Sequence, residues 1–101
     1  GNDHNLICEF IDTFLEQIPE YREKLEIGLD QNDWKNVALV SHSLKSSFAM
    51  MGNHDLRLIM RQIEILSKES PNEAEIRPLF NIFADSIDDM ISELKSYKTS
   101  V

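Results

Sequence analysis

The chain has 101 residues, the length of one domain, and its 42% hydrophobic and 28% charged residues are typical of a soluble globular fold. The formal net charge of −8 disfavours nucleic acid and anionic membrane surfaces as main partners. No apolar run approaches the ~20 residues of a membrane span, and a single cysteine excludes an internal disulfide and fits a reducing compartment. With only three glycines and three prolines, the composition favours helices over many short strands.

The N-terminal third has apolar residues at helical spacing. A first amphipathic helix is predicted over about residues 5–18, and Pro19 either begins a second helix or kinks one long helix. The apolar stripe continues to about Leu29, where a polar segment interrupts it. Within that segment Asn32 or Asp33 can cap the next helix by accepting backbone N–H groups.

A second helix is predicted from about Trp34 to Met51, and Gly52 suits a left-handed C-cap. Its apolar residues recur at helical spacing and form one stripe that should face a core. The stripe consists of Trp34, Val37, Val40, Leu44, Phe48 and Met51.

At about 100° per residue, His42 points almost opposite to this stripe and should stand exposed on the surface. Lys45, three residues later, is positioned to meet an anion carried by the imidazole. Ala38, Ser46 and Ala49 surround the ring with small side chains, where exposed helix faces usually carry Lys, Glu or Gln. This pattern favours a histidine that a partner can reach, and the alternative is a solvated surface histidine without a role.

Two further helices complete the predicted fold. Asn53 can cap a third helix that ends near Glu69, and residues 70–72 form a loop. Apolar residues at steps of four and three between 76 and 97 indicate a bundle seam, in which Pro78 should lie in the first turn or mark a bend. Four main helices with short loops imply an all-α, antiparallel up-and-down four-helix bundle, which an additional short N-terminal helix would complete.

The sequence HSLKSS at residues 42–47, followed by Gly52, resembles the histidine-phosphotransfer (HPt) domain of two-component phosphorelays. The family pattern is His-x-Leu-Lys-Gly-Ser, with a Gly ten residues after the His. Residues 33–34, Asp-Trp, also resemble the usual entry to this helix, and the resemblance extends over roughly residues 6–94. The chain departs from the pattern at Ser46, where the family usually has Gly.

The resemblance implies that His42 is the phosphoacceptor and that Lys45 neutralises phosphoryl charge. It further implies that Glu64, on the next helix, accepts a hydrogen bond from the imidazole and fixes its tautomer, although a solvated Glu64 is an alternative. No cofactor or metal is expected on this chain, because Mg²⁺ is expected on the partner receiver. The receiver would dock over a face comprising Lys35, Ala38, Leu39, Ser46, Ala49 and Met50.

The expected function is that of a phosphorelay intermediate, which accepts a phosphoryl group on His42 from a receiver aspartate and passes it to another receiver. Response-regulator receiver domains and a sensor or hybrid histidine kinase are the expected partners of a monomeric, cytoplasmic domain. The three glycines are too far apart to form a phosphate-binding loop, which favours a phosphoryl carrier over an ATP-dependent enzyme. Two alternatives are a non-catalytic helical interaction module and the dimerising phosphoacceptor bundle of a sensor kinase.

Residues 1–101 are interpreted as a single HPt-like domain with a core over about residues 6–97. Gly1 in place of a starting Met suggests a domain excised from a longer signalling protein, which could be a membrane-anchored hybrid kinase with this domain on its cytoplasmic side.

Overall fold

Four α-helices make up the computed structural model, which describes residues 2–99 and the side chains of residue 6 and residues 8–96. Helix α1 spans Asn2–Asp30, α2 spans Trp34–Met51, α3 spans His54–Glu69 and α4 spans Glu73–Thr99. Two or three residues join successive helices, so chain neighbours run antiparallel.

Each helix packs against its neighbours in the chain, and α4 also packs against α1, which closes a bundle of 47 × 19 × 18 Å. The all-α, four-helix architecture predicted from the sequence is confirmed for residues 2–99. Gly1 and the side chain of Tyr97, the predicted limit of the core, lie outside the described parts of the chain.

Helix α1 continues through Pro19, so the additional short N-terminal helix is not found among residues 2–99. Proline removes one backbone hydrogen bond and crowds the preceding turn, which is why the sequence suggested a break there. The apolar stripe nevertheless continues across the proline, and both halves of α1 bury it in the same core. The buried positions on either side are Phe14, Ile18, Leu25 and Leu29.

Side chains and backbone close both ends of α2 as predicted. The Asp33 carboxylate accepts the backbone N–H of Asn36 at 3.4 Å, and Gly52 adopts a left-handed conformation with φ of 74°. Asn53 then caps α3 by accepting the backbone N–H of Leu56 at 3.1 Å. Because these signals are local, the helix that carries His42 begins and ends where the sequence places it.

A glycine allows α1 to approach the start of α2 closely. A Cβ atom at Gly28 would lie 2.7 Å from Cγ2 of Val37, so any larger residue would require the buried Val37 side chain or the helices to shift. The Asp33 N–H also donates to the Gly28 carbonyl at 2.8 Å. These contacts fix where α2 starts relative to α1.

The core lies on one side of α2, opposite the side that carries His42. Phe48 is fully buried and makes edge-on ring contacts with Phe14 and Phe83, at centroid distances of 5.9 and 6.1 Å. Val37, Val40, Leu44 and Phe48 are buried, and Trp34 and Met51 pack at the margin of the core.

Helix α4 begins at Glu73, so Pro78 lies beyond the first turn and inside the helix. Of the two possibilities predicted for Pro78, a place in the first turn is excluded, because α4 begins five residues earlier; a bend at Pro78 stays a prediction. The predicted seam is buried on both sides of the proline, at Ile76, Phe80, Phe83 and Ile87. None of the helices within residues 2–99 has a stretch long and apolar enough to cross a membrane.

Candidate functional site

His42 lies near the middle of α2 on the face turned away from the core. Its side chain is 61% exposed, whereas the neighbouring Ser41 is fully buried. The Nδ1 atom of His42 lies 2.9 Å from Oε2 of Glu64 on α3. The structure therefore brings together two residues that the sequence places on different helices.

Glu64 is buried at 6% exposure, and its two oxygens meet three nitrogen atoms. Lys45 Nζ donates to Oε1 at 2.7 Å, Lys68 Nζ donates to Oε2 at 3.2 Å, and His42 Nδ1 shares Oε2 with Lys68. A buried carboxylate is costly unless it is paired and hydrogen-bonded. Here two lysines and the imidazole provide that compensation.

The environment of Glu64 sets its charge. Burial alone would raise the pKa of this carboxyl, but hydrogen bonds from Lys45, Lys68 and His42 outweigh burial and lower the pKa from 4.5 to about 2. Glu64 is therefore ionised at neutral pH and can only accept hydrogen bonds. In the hydrogen bond between the two residues, Nδ1 of His42 must therefore be the donor. In the neutral ring this leaves Nε2 with a free lone pair.

Lys45 reaches the site from the turn of α2 that follows His42. Its side chain is only 27% exposed, because it lies over the α2–α3 boundary with Nζ bound to Glu64. The positive charge of Lys45 is thus held beside the imidazole rather than extended into solvent. Lys68, by contrast, is 63% exposed and approaches Glu64 from the surface.

The predicted docking residues are mostly exposed. Leu39 is 58% and Met50 is 74% exposed, and Lys35, Ser46 and Ala49 are also at the surface. Ala38 is different, because at 6% exposure it is buried where α3 approaches α2. It lines a groove of about 540 Å³ beside the histidine, together with Trp34, Lys35, Leu39, His42, Glu64, Ser67 and Lys68.

Ser46, the residue that replaces the family glycine, has its hydroxyl bonded to the backbone of its own helix. Its Oγ donates to the backbone carbonyl of His42 at 3.4 Å, one turn earlier in α2. Such back-bonding is common for serine in helices. The structure thus shows the Ser46 hydroxyl in contact with the helix backbone.

Lys68 is the member of the site that sequence reasoning missed. It follows Glu64 by four residues on α3, and a Glu followed by a Lys at this spacing is a favourable pair on a helix. That spacing was visible in the sequence. Its relation to His42 was not, because it depends on how α3 packs against α2. Among the described residues, no group of three or more His, Cys, Asp or Glu side chains could hold a metal ion.

The fold and site define a helical bundle in which exposed His42 is oriented by an ionised carboxylate and flanked by lysine. The chain matches the Hpt domain family over residues 9–97, and it belongs to that family. Hpt domains are phosphoryl carriers of two-component phosphorelays, in which a histidine carries the phosphoryl group, and they interact with receiver domains and kinases. No curated protein and no solved structure matches the chain.

Proposed function

We propose that His42 accepts a phosphoryl group from the aspartyl phosphate of one receiver domain and passes it to the aspartate of another. The observation that carries this proposal is the hydrogen bond between exposed His42 and buried, ionised Glu64. Of the three histidines, His4 lies in the part of α1 whose side chains are not described, and exposed His54 lies in the first turn of α3.

In the proposed transfer, the lone pair of His42 Nε2 attacks the phosphorus atom of the aspartyl phosphate. The P–N bond forms as the P–O bond to the aspartate breaks, and the aspartate leaves as a carboxylate with the electron pair. The phosphorylated ring keeps its proton on Nδ1, and Glu64 balances the positive charge that the ring acquires. Transfer to the second receiver is the same step in reverse.

Lys45 is the proposed source of positive charge for the phosphoryl oxygens. Phosphoryl transfer depends mainly on alignment and charge neutralisation, and Lys45 lies within the same hydrogen-bonded group as the imidazole. Mg²⁺ on the receiver is the expected second source of positive charge. With positive charge from Lys45 and from Mg²⁺ on the receiver, the transfer requires no metal on the carrier.

The receiver is proposed to dock over the exposed face of α2 around His42, with Leu39 and Met50 at its margins. We infer that the domain works as a monomer in the cytoplasm, either alone or as the cytoplasmic part of a hybrid kinase. Burial of Val37, Val40, Leu44 and Phe48 of the α2 stripe within this bundle supports a domain that closes without a second copy.

The test is incubation with a receiver domain that carries ³²P on its aspartate. Label should appear on the wild type and on His54→Gln, a matched change at another exposed histidine, and should be absent from His42→Gln. The linkage should be acid-labile and stable in base. A His42→Gln protein that takes label at the wild-type rate would refute the proposal, and sedimentation as a dimer would favour a sensor-kinase bundle instead.

A further inference from the structure

The acidic chain divides its charge unevenly between two halves of the bundle. Residues 34–69, which include α2 and α3, contain five Lys or Arg and three Asp or Glu. The remaining residues contain five Lys or Arg and fifteen Asp or Glu. Helix α2 itself has no acidic residue. The half that carries His42 is therefore slightly positive in a protein of net charge −8.

The cations of α3 share the face that meets His42. At about 100° per residue, Arg57, Arg61 and Lys68 all lie within roughly 60° of Glu64 on the helix. Because Glu64 contacts His42 and Lys45, this face of α3 borders the histidine. Because α3 runs antiparallel to α2, Arg61 and Arg57 lie beside the part of α2 that follows His42.

The cations of α2 lie on the matching face. Lys35 is about 20° from His42 on the helix and lines the groove beside it, and Lys45 is one turn away on the α3 side. We call the resulting set the cationic strip. Its members are Lys35, Lys45, Arg57, Arg61 and Lys68.

Few carboxylates oppose this strip. Glu64 is buried beneath it and already paired with Lys45 and Lys68, whereas Asp55 and Glu69 lie about 140–180° away from Glu64 on α3. Within the described residues, Lys35, Arg57 and Arg61 form no ion pair, and Lys35 and Arg61 are exposed. Three cations therefore remain available to a partner.

We propose that the cationic strip recognises an acidic protein surface around the phosphorylated aspartate of the partner, and that Arg57 and Arg61 extend the docking surface from α2 onto α3. This inference rests on the proposed function of His42. The strip attracts a negatively charged partner while the acidic remainder of the bundle repels it, so encounters are oriented towards the histidine. Charge patterns of this kind raise association rates and suppress wrong orientations.

A protein partner fits these observations better than a nucleic acid. Three unpaired cations flank a single reactive side chain on a chain with eighteen acidic residues, and the groove beside His42 is lined partly by the apolar residues Trp34, Ala38 and Leu39. Nucleic-acid affinity depends on neutralising many phosphates along the backbone. The groove instead matches a partner with both apolar and acidic groups.

The experiment compares Arg57→Glu, Arg61→Glu and the double variant with Lys24→Glu. This control lies at an exposed position on α1 and changes the net charge as much as either single arginine variant does. Initial rates of transfer from a ³²P-labelled receiver are measured over a range of receiver concentrations between about 20 and 500 mM NaCl. Wild-type kcat/KM should fall about tenfold over this range. At low salt each arginine reversal should lower kcat/KM about 3- to 10-fold with kcat unchanged, and Lys24→Glu should change it less than about twofold.

Equal kcat/KM values for Arg61→Glu, Arg57→Glu and Lys24→Glu, with normal labelling of the wild type, would overturn the strip and leave the proposed function intact. A wild type that takes no label would overturn both. Thermal melts of all variants identify any loss that reflects unfolding. Retention of a fluorescent duplex DNA or single-stranded RNA at about 150 mM salt, uncompeted by receiver, would overturn the choice of an acidic protein partner.

Discussion

Nδ1 of His42 and Oε2 of Glu64 lie 2.9 Å apart, and the two residues differ sharply in burial. The imidazole is 61% exposed, whereas the carboxylate side chain is 8% exposed. The imidazole is therefore open to a partner protein while the group that orients it is shielded from water. Lys45 and Lys68 make the buried charge tolerable, so the orientation of His42 depends on the packing of α3 against α2.

Removal of the Glu64 carboxylate should slow phosphoryl transfer. Glu64→Ala deletes a charge-assisted hydrogen bond worth about 1.5–3 kcal/mol, so we expect transfer about 10- to 100-fold slower. Glu64→Gln, which keeps an acceptor oxygen, should lose less. ¹⁵N NMR of the imidazole should report a proton on Nδ1 in the wild type and a mixture of tautomers in Glu64→Ala. Glu69→Ala, an exposed change on α3, is the control, and an unaltered tautomer with full activity in Glu64→Ala would contradict this role.

Glu64 should also make stability depend on pH in an acidic window. Its pKa is lowered from 4.5 to about 2 in the folded protein, so the contribution is complete above about pH 4.5 and is lost as the pH falls towards 2. A shift of this size corresponds to at most about 3 kcal/mol at neutral pH.

Urea unfolding of the wild type and Glu64→Gln between pH 7 and about pH 2.5 measures this contribution. The difference in free energy of unfolding should be largest at neutral pH and shrink below pH 4.5. Glu69→Gln, the same substitution at an exposed position on α3, is the control. A constant difference between wild type and Glu64→Gln would show that the lysines and His42 do not stabilise the ionised form.

The limits of α2 could be predicted closely because their signals are local. Asp33 caps the start of the helix and Gly52 its end, both through contacts within a few residues. The apolar stripe that includes Phe48 identifies the buried face. Local signals could not decide whether α1 continues through Pro19 or a second helix begins there. The outcome depends on the apolar residues before and after Pro19 packing into the same core, which is a property of the folded bundle.

In the site, too, some features follow from local sequence and others depend on how the helices pack. The position of His42 opposite the core follows from helical spacing alone, and its resemblance to a family pattern drew attention to Glu64. The sharing of Oε2 between His42 and Lys68 required the register of α3 against α2. Burial of Ala38 has the same origin, since the periodicity of α2 placed it beside the exposed histidine and the packing of α3 covers it.

Phe48 should matter for folding rather than for chemistry. Its ring is fully buried between Phe14 and Phe83, and truncation of such a residue to Ala typically costs about 3–5 kcal/mol. Phe48→Ala should therefore lower the urea midpoint strongly. Met50→Ala, a truncation two residues later at a 74% exposed position, should change the free energy of unfolding by less than about 0.5 kcal/mol. Equal midpoints for the two variants would show that Phe48 does not lie on the core face of α2.

Lys45 should affect the lifetime of the phosphorylated protein. Lys45→Met keeps much of the aliphatic side chain but removes the charge beside His42, and loss of one charged donor costs on the order of 1–3 kcal/mol. We expect slower transfer and faster loss of ³²P from the isolated phosphoprotein. Lys68→Met removes the other lysine partner of Glu64 from a more exposed position and should have a smaller effect on this lifetime. Equal lifetimes for wild type and Lys45→Met would exclude charge neutralisation by Lys45.

Ser46 tests how much space a partner needs above the ring. It lies one turn after His42, about 40° away on the helix, and its hydroxyl is bonded to the His42 carbonyl at 3.4 Å. The small side chain therefore leaves the approach to the ring open, much as the family glycine would. Ser46→Gly should keep transfer activity while lowering stability slightly, because glycine inside a helix costs roughly 0.5–1 kcal/mol relative to Ala and serine already carries part of that cost.

Larger residues at position 46 should impair docking of the receiver without impairing folding. Ser46→Leu and Ser46→Arg place long side chains on an exposed helix position, where both residues are good helix formers, so thermal melts should stay near the wild type. Transfer from a receiver should nevertheless fall strongly, because the added side chain occupies the space beside His42. Ser43→Leu, an exposed change about 100° around the helix from His42, controls for added apolar surface on α2. If Ser46→Leu is folded and transfers at the Ser43→Leu rate, the receiver does not approach over this face, and the docking surface must lie elsewhere around the ring.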